Sequence, residues 1–144
     1  MRHLLLILSL VATACAGSPP RETTPPKKFA MKTYTFVLLK RGPAWSPEET
    51  PESKKLFEGH MANIKAMARA RKLIIAGPFD APKDDKAAYA GLFVFDVPAE
   101  EAKQLLAGDP AIVAGRLVPE MMPWYGPAGL TYDGAEEALR EPPH

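Results

Sequence analysis

Few side chains in this 144-residue chain can do chemistry unaided: there are three histidines and a single cysteine. His3 stands in a short basic start and His144 is the last residue, so His60 is the histidine set inside a pattern that folds. It lies three residues after Phe57 and four before Ile64, the spacing of one helical face, which puts the imidazole on an apolar stripe. A neutral ring there needs an acceptor for its N–H, and a carboxylate would both orient the ring and raise its basicity. That is the arrangement of a general base and its orienter. A structural histidine hydrogen-bonded within a core is the competing reading, and spacing alone leaves both open. Arg41, which closes an apolar run, and Trp45 are candidates for the mouth of a pocket, with Pro78 as a third; a solvated strand-end arginine is the alternative for Arg41. There is no glycine-rich phosphate loop, no Cys/His cluster and no nucleophile elbow, so neither a metal nor a cofactor is expected.

The elements that must carry these residues can be read from the apolar periods. Thr33 to Lys40, aromatic and β-branched, is a first strand closed by Arg41-Gly42-Pro43. Ser46-Pro47-Glu48-Glu49 has the residues of a helix capping box, and Thr50-Pro51-Glu52 repeats the start signal. A helix is expected from here to about Lys72, with Phe57, Met61, Ile64, Met67 and Ala68 on its core face. Leu73 to Ala76 and Tyr89 to Val97 are two more strands, paired as an antiparallel hairpin around the polar stretch Asp80 to Lys86. Pro98-Ala99-Glu100-Glu101 opens a second helix ending near Gly108, its acids placed where a helix start favours negative charge. Asp109-Pro110 begins a further turn, and Leu117 to Trp124, interrupted by prolines, is a fourth strand suited to a sheet edge.

The order β-α-β-β-α-β specifies an α+β, ferredoxin-like fold with a four-stranded antiparallel sheet and both helices on one face. Yet both faces of the strands are apolar: Phe36 and Leu38 alternate with Val37 and Leu39, and Leu92 and Val94 with Phe93 and Phe95. The uncovered face needs a partner, and a second copy of the same sheet is the simplest one, so a homodimer is expected. Met121, Met122 and Trp124 read as sheet and dimer packing.

Length and charge exclude other classes. The chain holds one domain plus tails, and 18 lysines and arginines against 17 acids give no footprint for nucleic acid. Residues 1–15 combine Arg2 and His3 with the apolar run Leu4 to Ala12, too short to span a bilayer but suited to a signal peptide. As the only cysteine, Cys15 has no disulfide partner in the chain. Ala12-Thr13-Ala14-Cys15 looks like a lipobox, although leucine is usual where Ala12 stands; an ordinary secretory signal is the alternative. On the lipobox reading Cys15 is lipidated and anchors an exported protein to the bacterial cell envelope, at the outer membrane in a Gram-negative source. Residues 16–31, with four prolines, form a tether; 32–127 the domain; and 128–144 a flexible tail with at most a helical turn or two at 135–140.

Taken together, Gly59-His60-Met61-Ala62-Asn63-Ile64, Ala76-Gly77-Pro78-Phe79, Asp109-Pro110, Ala114-Gly115-Arg116-Leu117 and Pro123-Trp124-Tyr125 resemble the signature set of the YciI-like (YCII-related) family over residues 33–127. The resemblance implies the dimeric α+β barrel type of the ferredoxin-like fold. It also implies a pocket built around a first-helix histidine and the aspartate of the Asp-Pro turn, here His60 and Asp109. Where most relatives have glycine near the end of the first helix, this chain has Arg69-Ala70-Arg71-Lys72. The fold group includes isomerases, dehydrochlorinase-type lyases and monooxygenases. Two functions are consistent with this: a cofactor-free acid-base enzyme acting on a small ring-derived substrate, or a non-catalytic dimeric module that binds a small ligand at the envelope. The sequence does not choose between them, so whether the domain is an enzyme is left open.

Overall fold

Two periodicities, alternation by two and recurrence by three and four, divide the described part of the chain into seven elements. The computed structural model describes residues 30–130, and these form β1 (Met31–Arg41), α1 (Pro51–Arg69), β2 (Leu73–Pro78), β3 (Tyr89–Phe95), α2 (Ala99–Ala107), α3 (Pro110–Val113) and β4 (Leu117–Pro127). The signal-like segment with Cys15, most of the tether and the tail from 131, with its expected turn at 135–140, lie outside the described residues. The strands pair in the order β2-β3-β1-β4, every neighbour antiparallel. This is the α+β, ferredoxin-like arrangement expected from the order of elements.

Register decides which side chains share a face. Phe93 stands opposite Val37, which stands opposite Met121, and this row faces the helices. Val37, Leu39, Phe93 and Phe95 join Met67 of α1 and Ala102 and Leu106 of α2 in the buried core. One residue along, Ile75, Val94, Phe36 and Met122 form a row across all four strands on the opposite face. Ile75 and Met122 are exposed there, as is Trp124 further along β4. The three prolines of β4 oppose Leu39, Thr35 and Met31 of β1. Among the described residues β4 has no neighbour on its other side, so a missing N–H costs no ladder bond there. The strand therefore runs through its prolines to residue 127, past the expected end at Trp124.

Of the two start signals read for α1, the second is the one used. The Ser46 side chain accepts from the Glu48 N–H in a local turn, while Thr50 and Ser53 form the reciprocal box, Ser53 N to Thr50 Oγ1 at 3.1 Å and Thr50 N to Ser53 Oγ at 2.9 Å. At the other end the helix stops at Arg69, three residues short of the expected Lys72. Arg71 takes φ 57°, and Lys72 N and Arg71 N close back on the Met67 and Ala68 carbonyls. That closure places a non-glycine residue at the left-handed position glycine usually fills. The same closure after α3 has glycine in place, Gly115 at φ +70°.

Candidate functional site

His60 is brought to its partner by two neighbours that do no chemistry themselves. Gly59 precedes it on α1, and Pro110 follows Asp109 at the start of α3. With no side chain on Gly59 the proline ring closes in, so that a Cβ placed there would lie 2.7 Å from Pro110 Cγ. The residue after one and the residue before the other then meet: His60 Nδ1 lies 2.9 Å from Asp109 Oδ2 and 3.0 Å from Oδ1. Asp109 is fully buried and His60 is 8% exposed.

The carboxylate is heavily hydrogen-bonded. Oδ1 accepts from the N–H of Ala111 at 3.0 Å and of Ile112 at 3.3 Å, so Asp109 also caps α3. Oδ2 accepts from Asn63 Nδ2 at 3.1 Å. Burial alone pushes this carboxyl up, but the hydrogen bonds from His60 and Asn63, the attraction of His60 and the Ile112 N–H together outweigh it and hold it below its ordinary value. An ionised carboxylate can only accept, so Nδ1 carries the proton it donates to Asp109. In the neutral ring Nε2 is then the basic nitrogen. Phe93 stacks on the imidazole, centroids 6.0 Å apart and planes at 28°, fixing it from the sheet side.

His60 also lines a cleft of ≈ 790 Å³, as do Arg41, Trp45 and Pro78. Pro78 ends β2 on the helix-bearing face, and Arg41 ends β1 on the same side. The Arg41 guanidinium donates to the carbonyls of Ala81, Pro82 and Asp85 and lies 4.7 Å from the Trp45 ring centroid. Trp45 Nε1 donates to the Lys83 carbonyl at 3.1 Å. These bonds hold the segments on either side of the cleft together, so Arg41 is not the freely solvated strand-end arginine of the alternative reading. Phe57 departs from expectation: it is 62% exposed and lines the cleft, where the helical stripe had assigned it to the core. The core face of α1 begins one turn later, with His60 and Met67 buried and Ile64 packed against the core.

Among solved structures, the chain is similar to 5-chloro-2-hydroxyhydroquinone dehydrochlorinase (TftG) from Burkholderia phenoliruptrix AC1100, determined in complex with 2,5-dihydroxybenzoquinone. The identity is 17% and the TM-score 0.46, covering 62% of this chain and 92% of that one. No protein-family model and no curated protein matches the chain. The fold assignment rests on the chain's own strand order.

Three contributors to the site were not singled out from sequence. Asn63 sits one turn after His60, a spacing that by itself places it beside the imidazole. Phe93 reaches the ring through sheet register. Arg116, the residue after Gly115, donates to the Ser46 carbonyl at 2.8 Å and lies 5.3 Å from the Trp45 centroid. Among the described residues no three His, Cys, Asp or Glu side chains converge as a metal-binding group would.

Proposed function

We propose that this domain is a proton-transfer enzyme of YciI-like type, in which His60, oriented by Asp109, acts as general base on a small ring-derived substrate held in the cleft. The observation that carries the reading is the buried His60–Asp109 pair at the cleft wall: Nδ1 is committed to the carboxylate, which leaves Nε2 to meet a bound molecule. Nε2 takes a proton from a carbon beside a carbonyl, and the C–H electron pair moves into an enolate whose negative charge rests on the carbonyl oxygen. Return of the proton to a different carbon completes an isomerisation. Expulsion of a leaving group from the next carbon completes an elimination, with the proton left on His60 until solvent takes it.

The test is hydrogen-deuterium exchange into cyclic diketones and lactones in D₂O, followed by NMR. Exchange at the acidic carbon is expected with the wild-type protein and should fall about 10²–10⁴-fold in His60→Ala. Exchange that persists undiminished in the variant refutes the assignment. A compound that binds and is never exchanged leaves the non-catalytic ligand-binding module as the better reading.

The apolar row Ile75, Val94, Phe36 and Met122 supports a homodimer formed across the open sheet face, as in the dimeric α+β barrel type. The lipobox-like Ala12-Thr13-Ala14-Cys15 supports export and anchoring through a lipidated Cys15. Incorporation of labelled palmitate that is lost in Cys15→Ala is the expected result; equal labelling of the two refutes it.

A further inference from the structure

The charges that line the cleft fall into two sets. Glu48, Glu58 and Lys54 are exposed at the rim, and so are Glu49 and Lys83, which pair with each other at 3.4 Å. Arg41 and Arg116 are half-buried in the walls. Both guanidiniums are bound by carbonyls, which are neutral: Ala81, Pro82 and Asp85 for Arg41, Ala44 and Ser46 for Arg116. Both also lie against the Trp45 ring. Among the described residues neither has a carboxylate at ion-pair distance. The only buried side-chain polar atom among them without a hydrogen-bond partner is Arg41 Nε. Two half-buried guanidiniums with no carboxylate beside them, both in the wall of a largely apolar cleft, mark a place where an anion is held.

Beside Ser46 and Ser53 the remaining wall is mostly apolar, with Trp45, Leu56, Phe57, Pro78, Phe79 and Leu117. We infer that the cleft selects a small organic anion, a carboxylate or phenolate carried on a flat apolar body, with Arg41 and Arg116 as the selecting residues. This rests on the cleft beside His60 being the ligand site, and it specifies the substrate class that the proposed proton transfer would act on. The anionic group is held by the guanidiniums, and the flat body lies along the apolar wall within reach of the imidazole. The exposed rim charges, of both signs and open to water, contribute little to the selection.

Calorimetric titration of the purified full chain with salicylate and with salicylamide, which is similar in shape but neutral, separates charge from shape. Salicylate is expected to bind the wild-type protein about tenfold tighter or more, with the excess reduced several-fold between roughly 0.02 and 0.3 M NaCl while salicylamide is unaffected. Arg116→Gln should abolish most of the preference, and Lys83→Gln on the rim should change it less than about twofold. If Arg116→Gln does not fold, the salt response of the wild-type protein still decides. Equal affinities for the two compounds, a salt-independent preference, or no binding of either at about 10 mM overturns the inference. The preference should survive in His60→Ala. Selective salicylate binding without His60-dependent exchange would keep the anion site and remove the catalytic reading, whereas exchange of neutral substrates alone would do the reverse.

Discussion

Gly59→Ala tests whether the contact between two residues without functional groups sets the His60–Asp109 pair. The new Cβ would lie 2.7 Å from Pro110 Cγ and 3.3 Å from its Cβ, where carbon atoms settle at about 3.5–4.0 Å. Roughly 1 Å of separation between α1 and α3 is needed, and the proline ring cannot rotate away as an open side chain would. Overpacking of this kind costs about 1–3 kcal/mol. A displacement of that size takes His60 Nδ1 and Asp109 from 2.9 Å to beyond hydrogen-bond range, forfeiting a charge-assisted bond worth about 1.5–3 kcal/mol. Against these stands the better helix propensity of alanine, about 1 kcal/mol. The net expectation is a loss of about 3 kcal/mol, read as a lower midpoint in urea unfolding. In NMR spectra the variant should lose the downfield signal of an imidazole N–H bound to carboxylate. A variant more stable by the full propensity gain, with that signal unchanged, would refute the role given to the Gly59–Pro110 contact.

Asp109→Asn should be pH-dependent in a defined sense. The folded carboxyl titrates below its unfolded value, so its contribution is complete above the unfolded pKa and is lost as pH falls through the folded one. The wild-type protein is expected to exceed the variant by about 2–4 kcal/mol at neutral pH, with the gap closing below about pH 4; a gap constant from pH 7 to pH 3 in urea titrations would contradict this. Arg71→Gly should stabilise by about 0.5–1 kcal/mol, because φ 57° strains any residue with a Cβ, and an unchanged unfolding midpoint would argue against that strain. Ile75→Glu places a charge at the β2 end of the apolar row on the open face and should convert the proposed homodimer to a monomer in light scattering at micromolar concentration. A wild-type protein already monomeric there would remove the dimer.

What was legible in the sequence divides by distance along the chain. Strands and helices follow from local periods, so the ferredoxin-like order was accessible from Thr33–Lys40, the α1 stripe and the proline-marked edge strand. Both start signals for α1 were legible, but not which one is used, because Ser46-Pro47-Glu48-Glu49 is on paper at least as good a box as Thr50-Pro51-Glu52-Ser53. The choice is made by tertiary bonds: Arg116 holds the Ser46 carbonyl and Trp45 is tied to Lys83, so residues 43–50 stay unwound as a wall of the cleft. Phe57 misled for the same reason, since an apolar residue at helical spacing can face a cleft as well as a core. His60 could be found from its stripe, but its partner lies 49 residues away, and only the family resemblance pointed to Asp109.

The bonds that Arg41 and Trp45 make to the segment 81–85 all end on main-chain oxygens. Every residue type supplies that oxygen, so the wall's position is specified without reference to what its side chains are. A substitution at Ala81, which lines the cleft, can therefore alter the chemistry facing a ligand while leaving the scaffold and the imidazole where they stand. A wall specified this way lets the molecule it receives change independently of the His60–Asp109 pair.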